Sequence, residues 1–303
     1  KIQQEVITRI KVLAALRTDE HASAQDGRFK ITIQDEHTVD IRVSIAPTYY
    51  GENAVLRLLT QQAKAYTLEN LGFQGEDLAK IQSAIKKPYG MILVTGPTGS
   101  GKTTTLYTLI TMLNTKEVSI VTVEDPIEYS IEGIDQIQIN PKTGITFAAG
   151  LRSILRQDPN IIMVGEIRDE ETANIAVNAA LTGHLLLSTL HTNDAPTALP
   201  RLIDLNTEPF LISSTINVII GQRLVRKICD ACKTAKKITD AEFTSLARTL
   251  TTKILNNHRD FFIGKGCKVC SESGYKGRVG IYEVLEITEP IRTAIMKRAN
   301  AGE

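Results

Sequence analysis

Tryptophan is absent from this 303-residue chain, all aromatic residues together make up 5%, and there are only four cysteines and four methionines. So few aromatics leave little on which nucleobases could stack. A formal net charge of +1 gives the molecule no overall field toward nucleic acid or anionic lipid, and no nucleic-acid partner is expected. Long hydrophobic runs are also missing. The most apolar stretches, Phe210 to Ile220 and Ile175 to Leu190, are too short, or too interrupted by Asn, Ser, Thr, Gly and His, to span a bilayer. The first residues lack the basic, apolar and small-residue pattern of a secretion signal, so a cytoplasmic location is expected. With 42% hydrophobic residues, the chain can bury a sizeable core and has room for about two domains.

What is present is one phosphate-binding signature. The run Gly96-Pro97-Thr98-Gly99-Ser100-Gly101-Lys102-Thr103, continued by Thr104, fills every position of G-x-x-x-x-G-K-[ST]. Its glycines let consecutive N–H groups turn toward phosphate oxygens, Lys102 adds a point charge for the β and γ groups, and the Thr103 hydroxyl suits Mg²⁺. Met91 to Thr95 reads as a buried strand and Thr103 to Leu113 as a helix, so the loop sits at a helix N-terminus that favours anions. ATP is the expected ligand.

The first sixty residues read as a small α+β domain, taken as 1–62. Ile2, Val6, Ile7, Ile10, Leu13 and Leu16 recur at helical spacing. Three strand-like runs follow. Phe29, Ile31 and Ile33 alternate with polar residues, as do Val39, Ile41, Val43 and Ile45, which puts Arg28 and Arg42 on polar faces. Arg57 shares a side with Val55 and Leu59 and is expected to be packed or paired. Gln61 to Tyr66 reads as a linker.

From 63 to 303 the order strand, helix, strand, helix implies a mainly parallel sheet covered on both faces. Helices are expected at Glu76 to Lys86, Thr146 to Gln157 and Glu170 to Leu181, with strands at Val118 to Val123, Asn160 to Val164 and His184 to Thr189. In such sheets, catalytic groups lie beyond the carboxyl ends of strands. There stand Glu124, Asp125 and Glu128, then Glu166, Arg168 and Asp169, then His191. Gly165 occupies the place where an Asp commonly holds magnesium through water. Glu166 is then the nearest carboxylate for the metal, leaving Glu124 to accept a proton from the attacking water; the reverse assignment stays open. His191 is a candidate for touching phosphate, and Asp169 for capping the helix that follows it.

The cysteines form two pairs, Cys229-x-x-Cys232 and Cys267-x-x-Cys270, with none left over. Two such knuckles suit a closed, structural Zn²⁺ site of four thiolates, here in a module at about residues 226–275. Disulfides fit a reducing compartment poorly. The long spacer leaves room for a helix at Ala241 to Leu255. Lys233, Lys236 and Lys237 beside the knuckles allow a rival reading as a nucleic-acid-binding zinc ribbon.

The phosphate loop, Val123-Glu124-Asp125-Pro126-Ile127-Glu128, Met163-Val164-Gly165-Glu166-Ile167-Arg168-Asp169 and Gly183-His184 through Thr192-Asn193 resemble the Walker A, Asp box, Walker B and His box of secretion-superfamily ATPases of the GspE and PilB type. The resemblance covers essentially the whole chain, and it includes Gly165. It implies a RecA-like P-loop NTPase domain after a truncated PAS-like N2-type domain. It also implies a homo-hexameric ring that drives assembly of a type IV pilus or type II secretion pseudopilus, working on an inner-membrane platform protein. Arg28 and Arg42, in Asp26-Gly27-Arg28 and Asp40-Ile41-Arg42, match the positions whose arginines complete the nucleotide site in such rings. Assembly motors of the family carry the zinc module, whereas retraction motors generally lack it. Family members extend beyond both ends of this sequence, so the chain is expected to be a fragment without part of its membrane-partner surface.

Overall fold

The computed structural model describes residues 2–33, 37–60, 66–249, 260–300 and 302. Its residues group into two compact units, 1–66 with 110–165 and 67–109 with 166–303.

In the first unit, helix α1 (Ile2–Leu13) covers an antiparallel sheet of β1 (Gln25–Ile33), β2 (His37–Thr48) and β3 (Gly51–Thr60), with β2 in the middle. Alternation along β2 turns Ile41, Val43 and Ile45 inward to meet Ile7 and Ala14, with Phe29, Val39 and Ala54 around them. Each fully buried Ile or Val among them contributes about 1.5–3 kcal/mol. The helix buries less of its apolar set than its periodicity implies: Ile7 is buried, but Ile2 and Val6 are exposed. Its inner face carries instead the fully buried Lys11, whose ammonium pairs with Glu52 Oε1 at 2.5 Å and donates to the Glu20 carbonyl at 2.6 Å. The linker expected at Gln61 to Tyr66 lies, apart from Tyr66, outside the described residues.

The rest of this unit is parallel. Strand β5 (Ile120–Glu124) lies between β6 (Asp135–Gln138) and β7 (Ile161–Val164), and helix α5 (Phe147–Ile154), capped by Thr146, packs on it. At Gly150, a Cβ would come within 2.7 Å of Val123 Cγ2, so this helix approaches the strand closely only through glycine.

In the second unit, β4 (Gly90–Thr95) is wholly buried between β8 (Leu185–Leu190) and β9 (Ile216–Ile228), both parallel to it. Strand β12 (Tyr275–Glu286) runs antiparallel to β9. Helix α4 (Lys102–Leu113) follows β4, and α6 (Glu170–Leu181) begins at Asp169, whose carboxylate accepts the Thr172 N–H at 2.8 Å. Strands β9 and β12 continue the sheet beyond His184 to Thr189, the last strand read from the sequence. The cysteine module carries β10 (Lys233–Lys237) antiparallel to β11 (Asp260–Gly264), with helix Asp240–Thr249 between them. The remainder of the helix expected at Ala241 to Leu255 falls outside the described residues.

Candidate functional site

The segment between β4 and α4 is a tight loop because Gly96, Gly99 and Gly101 adopt φ of 141°, 77° and 92°. At Gly96, a Cβ would stand 2.3 Å from the Gln222 carbonyl oxygen, so the first glycine is also required by space. Lys102 folds back over the loop, donating to the carbonyls of Gly96 at 2.8 Å and Pro97 at 3.2 Å. Partial burial lowers its pKa, and the Glu166 carboxylate opposes that effect. Pro97, Thr98, Gly99 and Thr103 are exposed, whereas Ser100 is buried.

Glu166 follows β7 at Gly165. A Cβ at Gly165 would lie 3.3 Å from the Val123 oxygen and 3.4 Å from the Phe147 ring, a steric reason for glycine at the place where phosphate-loop enzymes commonly carry an Asp. The Glu166 carboxylate is held from both sides, by Arg168 on Oε1 at 2.5 Å and by His191 Nε2 on Oε2 at 3.0 Å. His191 thus meets a carboxylate. The loop carrying it is tied to the end of β4, since Thr192 Oγ1 bonds Thr95 Oγ1 at 2.7 Å and Thr95 Oγ1 donates to the Thr192 carbonyl at 3.0 Å. The Thr103 hydroxyl and the Glu166 carboxylate are hard oxygen donors of the type Mg²⁺ takes.

In the first unit, Glu124 ends β5 and is 2% exposed. Its Oε1 accepts Thr122 Oγ1 at 2.7 Å and Gln136 Nε2 at 3.0 Å. Gln136 lies on β6, a strand too short for its pattern to stand out. Arg28 stands on the polar face, as expected, but is paired there: it forms a bidentate pair with Asp40, whose side chain is 1% exposed, and donates to the Ile127 carbonyl at 3.1 Å. Register pairs Arg28 with Arg42 and Arg42 with Arg57, so three arginines stand in a row on one face of the sheet. Arg57 is therefore exposed and not packed, because Leu56 and Ala54, opposite Val43 and Ile45, lie on the core side of β3. This row depends on strand register, which no single segment reveals.

The four cysteine sulfurs lie within 4.8 Å of one another, and none is in a disulfide. Cys229 and Cys267 are 3.9 Å apart, Cys232 and Cys270 3.9 Å, and Cys267 and Cys270 3.6 Å. A tetrahedron with Zn–S bonds of about 2.3 Å has edges of about 3.8 Å, so the donor set fits Zn²⁺. Burial would push the Cys270 thiol up, but N–H groups of Cys267 and Gly274, at 3.2 and 3.3 Å from its sulfur, bring it down to about 7. Beside the cluster, Lys236 is spent on Glu242 at 2.8 Å and Lys233 lies over the Phe262 ring, which weakens the nucleic-acid reading. No helix among the described residues is long and apolar enough to cross a membrane.

Known proteins are similar to this chain. The chain is 46% identical over 303 residues to the type IV pilus assembly ATPase PilB of Myxococcus xanthus, covering all of this chain and 53% of that protein. It is 50% identical over 292 residues to the type II secretion system protein E of Dickeya dadantii, covering 96% of this chain and 57% of that one. It thus spans little more than half the length of these relatives. Among solved structures, the pilus retraction motor PilT with bound ADP superposes with a TM-score of 0.69 at 27% identity, over 97% of this chain and 74% of that one. The model of the family described as type II/IV secretion system protein matches residues 1–303, and the chain belongs to that family.

Proposed function

We propose that the chain is the ATP-hydrolysing part of a motor that drives assembly of a type IV pilus or a type II secretion pseudopilus. The observation that carries this reading is the loop at 96–103, with Lys102 on its rim and the Glu166–Arg168–His191 group in the same unit. Lys102 binds and orients the triphosphate. Magnesium would be held by the Thr103 hydroxyl and the Glu166 carboxylate and would supply charge neutralisation at the phosphates. Glu124 accepts the proton of the attacking water, and Thr122 and Gln136 hold its carboxylate by hydrogen bonds. His191 and Arg168 orient Glu166.

Arg42, with Arg57 opposite it in the strand register, completes the nucleotide site of a neighbouring copy in a homo-hexamer. Arg28 is tethered, and it positions the segment that follows Glu124. Zn²⁺ on Cys229, Cys232, Cys267 and Cys270 is structural. The partner is an inner-membrane platform protein, and the motor acts in the cytoplasm at the inner membrane face. The four-cysteine cluster, and relatives of 46–50% identity named for assembly and secretion, favour this over the retraction role named for the 27% identical PilT. Titration calorimetry with ATP and magnesium tests the reading: no heat from any nucleotide with folded protein would refute it.

A further inference from the structure

Gln222 lies on β9 and is 4% exposed. Its Nε2 donates to the Ser100 carbonyl at 2.7 Å, and its Oε1 accepts the Thr105 hydroxyl at 2.7 Å. Its main-chain oxygen is the atom that a Cβ at Gly96 would strike, and its Nε2 stands 2.9 Å from where one at Gly101 would be. One residue therefore rests against both glycines that bracket the loop and fastens the loop to the first turns of α4. A primary amide can donate to a carbonyl and accept from a hydroxyl in the same plane at any pH in the physiological range.

The Ser100 carbonyl and the Gly101 N–H belong to one trans peptide unit and point in opposite directions. Holding that carbonyl toward Gln222 turns the Gly101 N–H away from β9, to the side where the loop would grip phosphate. We propose that Gln222 is a positioning residue for the phosphate loop, aiming the Gly101 N–H by holding the Ser100 carbonyl. This rests on the nucleotide-site reading above.

The test is titration of the protein with a fluorescent ADP analogue and magnesium between pH 5.5 and 8. Gln222→Leu removes both hydrogen bonds and leaves a buried carbonyl unpaired, so affinity should fall roughly tenfold. Gln222→Glu gives a sharper readout. As a neutral acid it can still donate to Ser100 and accept from Thr105, but once ionised it faces the carbonyl with a second acceptor. The ratio of its affinity to wild type should therefore be near one at low pH and fall as pH rises, a dependence that a mere packing role would not create.

Should the Leu protein not fold, Thr105→Val and Thr105→Ser take its place: Val should weaken binding severalfold and Ser should restore it. Variants that bind within twofold of wild type, with a ratio flat in pH, would overturn the role of Gln222 while leaving the nucleotide site intact. A wild-type protein that binds no nucleotide would instead refute the underlying reading, and the proposal with it.

Discussion

Removing the Arg28 side chain should cost this protein stability as well as activity, and the two losses can be separated. The Arg28 guanidinium, 25% exposed, is held on the Asp40 carboxylate, whose side chain is 1% exposed. Stranding a buried carboxylate costs about 3–5 kcal/mol when its partner is fully enclosed. Because Arg28 is a quarter open to water, solvent entering the gap offsets part of this, and about 2–3 kcal/mol is expected. At about 3–5 °C per kcal/mol for a unit between the 60–100 and 150–250 residue classes, Arg28→Ala should melt roughly 6–15 °C below wild type. Adding Asp40→Asn removes the stranded charge and should recover about half of that loss or more. Differential scanning calorimetry of the four proteins of this cycle measures the coupling, and phosphate release measured on the same samples supplies the second axis. If Arg28 positions the segment after Glu124 through its bond to Ile127, the double variant regains half or more of the lost melting temperature but remains slow. An Arg28→Ala protein that melts within 2 °C of wild type, or a double variant no more stable than the single one, would refute the argument that Asp40 depends on this arginine.

Replacing Glu124 by Gln should slow phosphate release by on the order of 10²–10⁴ while nucleotide affinity, read by calorimetry, stays near wild type. Lys102→Ala and Arg42→Ala proteins, each inactive alone, should regain part of their ATPase activity when mixed in one ring, because an intact site can then be built from two copies; a trans arginine of this kind is worth on the order of 10³–10⁵ in rate. Cys270→Ser should lower zinc content, measured by atomic emission, and open the 226–275 module to protease. Since protons compete with the metal for thiolates, zinc retention should rise with pH and fall on acidification, and retention independent of pH would argue against four-thiolate binding.

The parts of the site that were legible in the sequence are those whose geometry is local. A loop with glycine at fixed offsets between an apolar strand and a helix states its own conformation, and Asp169 four residues before the buried Ala173 states a helix start. The cysteine pairs were readable for the same reason, since a knuckle is a local turn and sulfur chemistry admits few uses. Arg57 was misread because period-two alternation reports only that neighbours face opposite ways; which side meets the core is decided by register with Ile41 and Val43 on the next strand. Strand β9 was missed because α8 (Pro209–Thr215) passes into it at Ile216 with no glycine or proline between them, and an apolar run of that kind fits helix and strand alike. That loss hid Gln222, which lies 122 residues from the loop carbonyl it holds. A buried amide in a β-strand has no sequence signature, because its meaning comes from the partner it reaches. The glycines at 96 and 101 are therefore only half explained by the loop they bend. They also leave room for a strand from far along the chain to press against the loop from behind, and a motif search that counts only the loop's own residues will overlook the wall that shapes it.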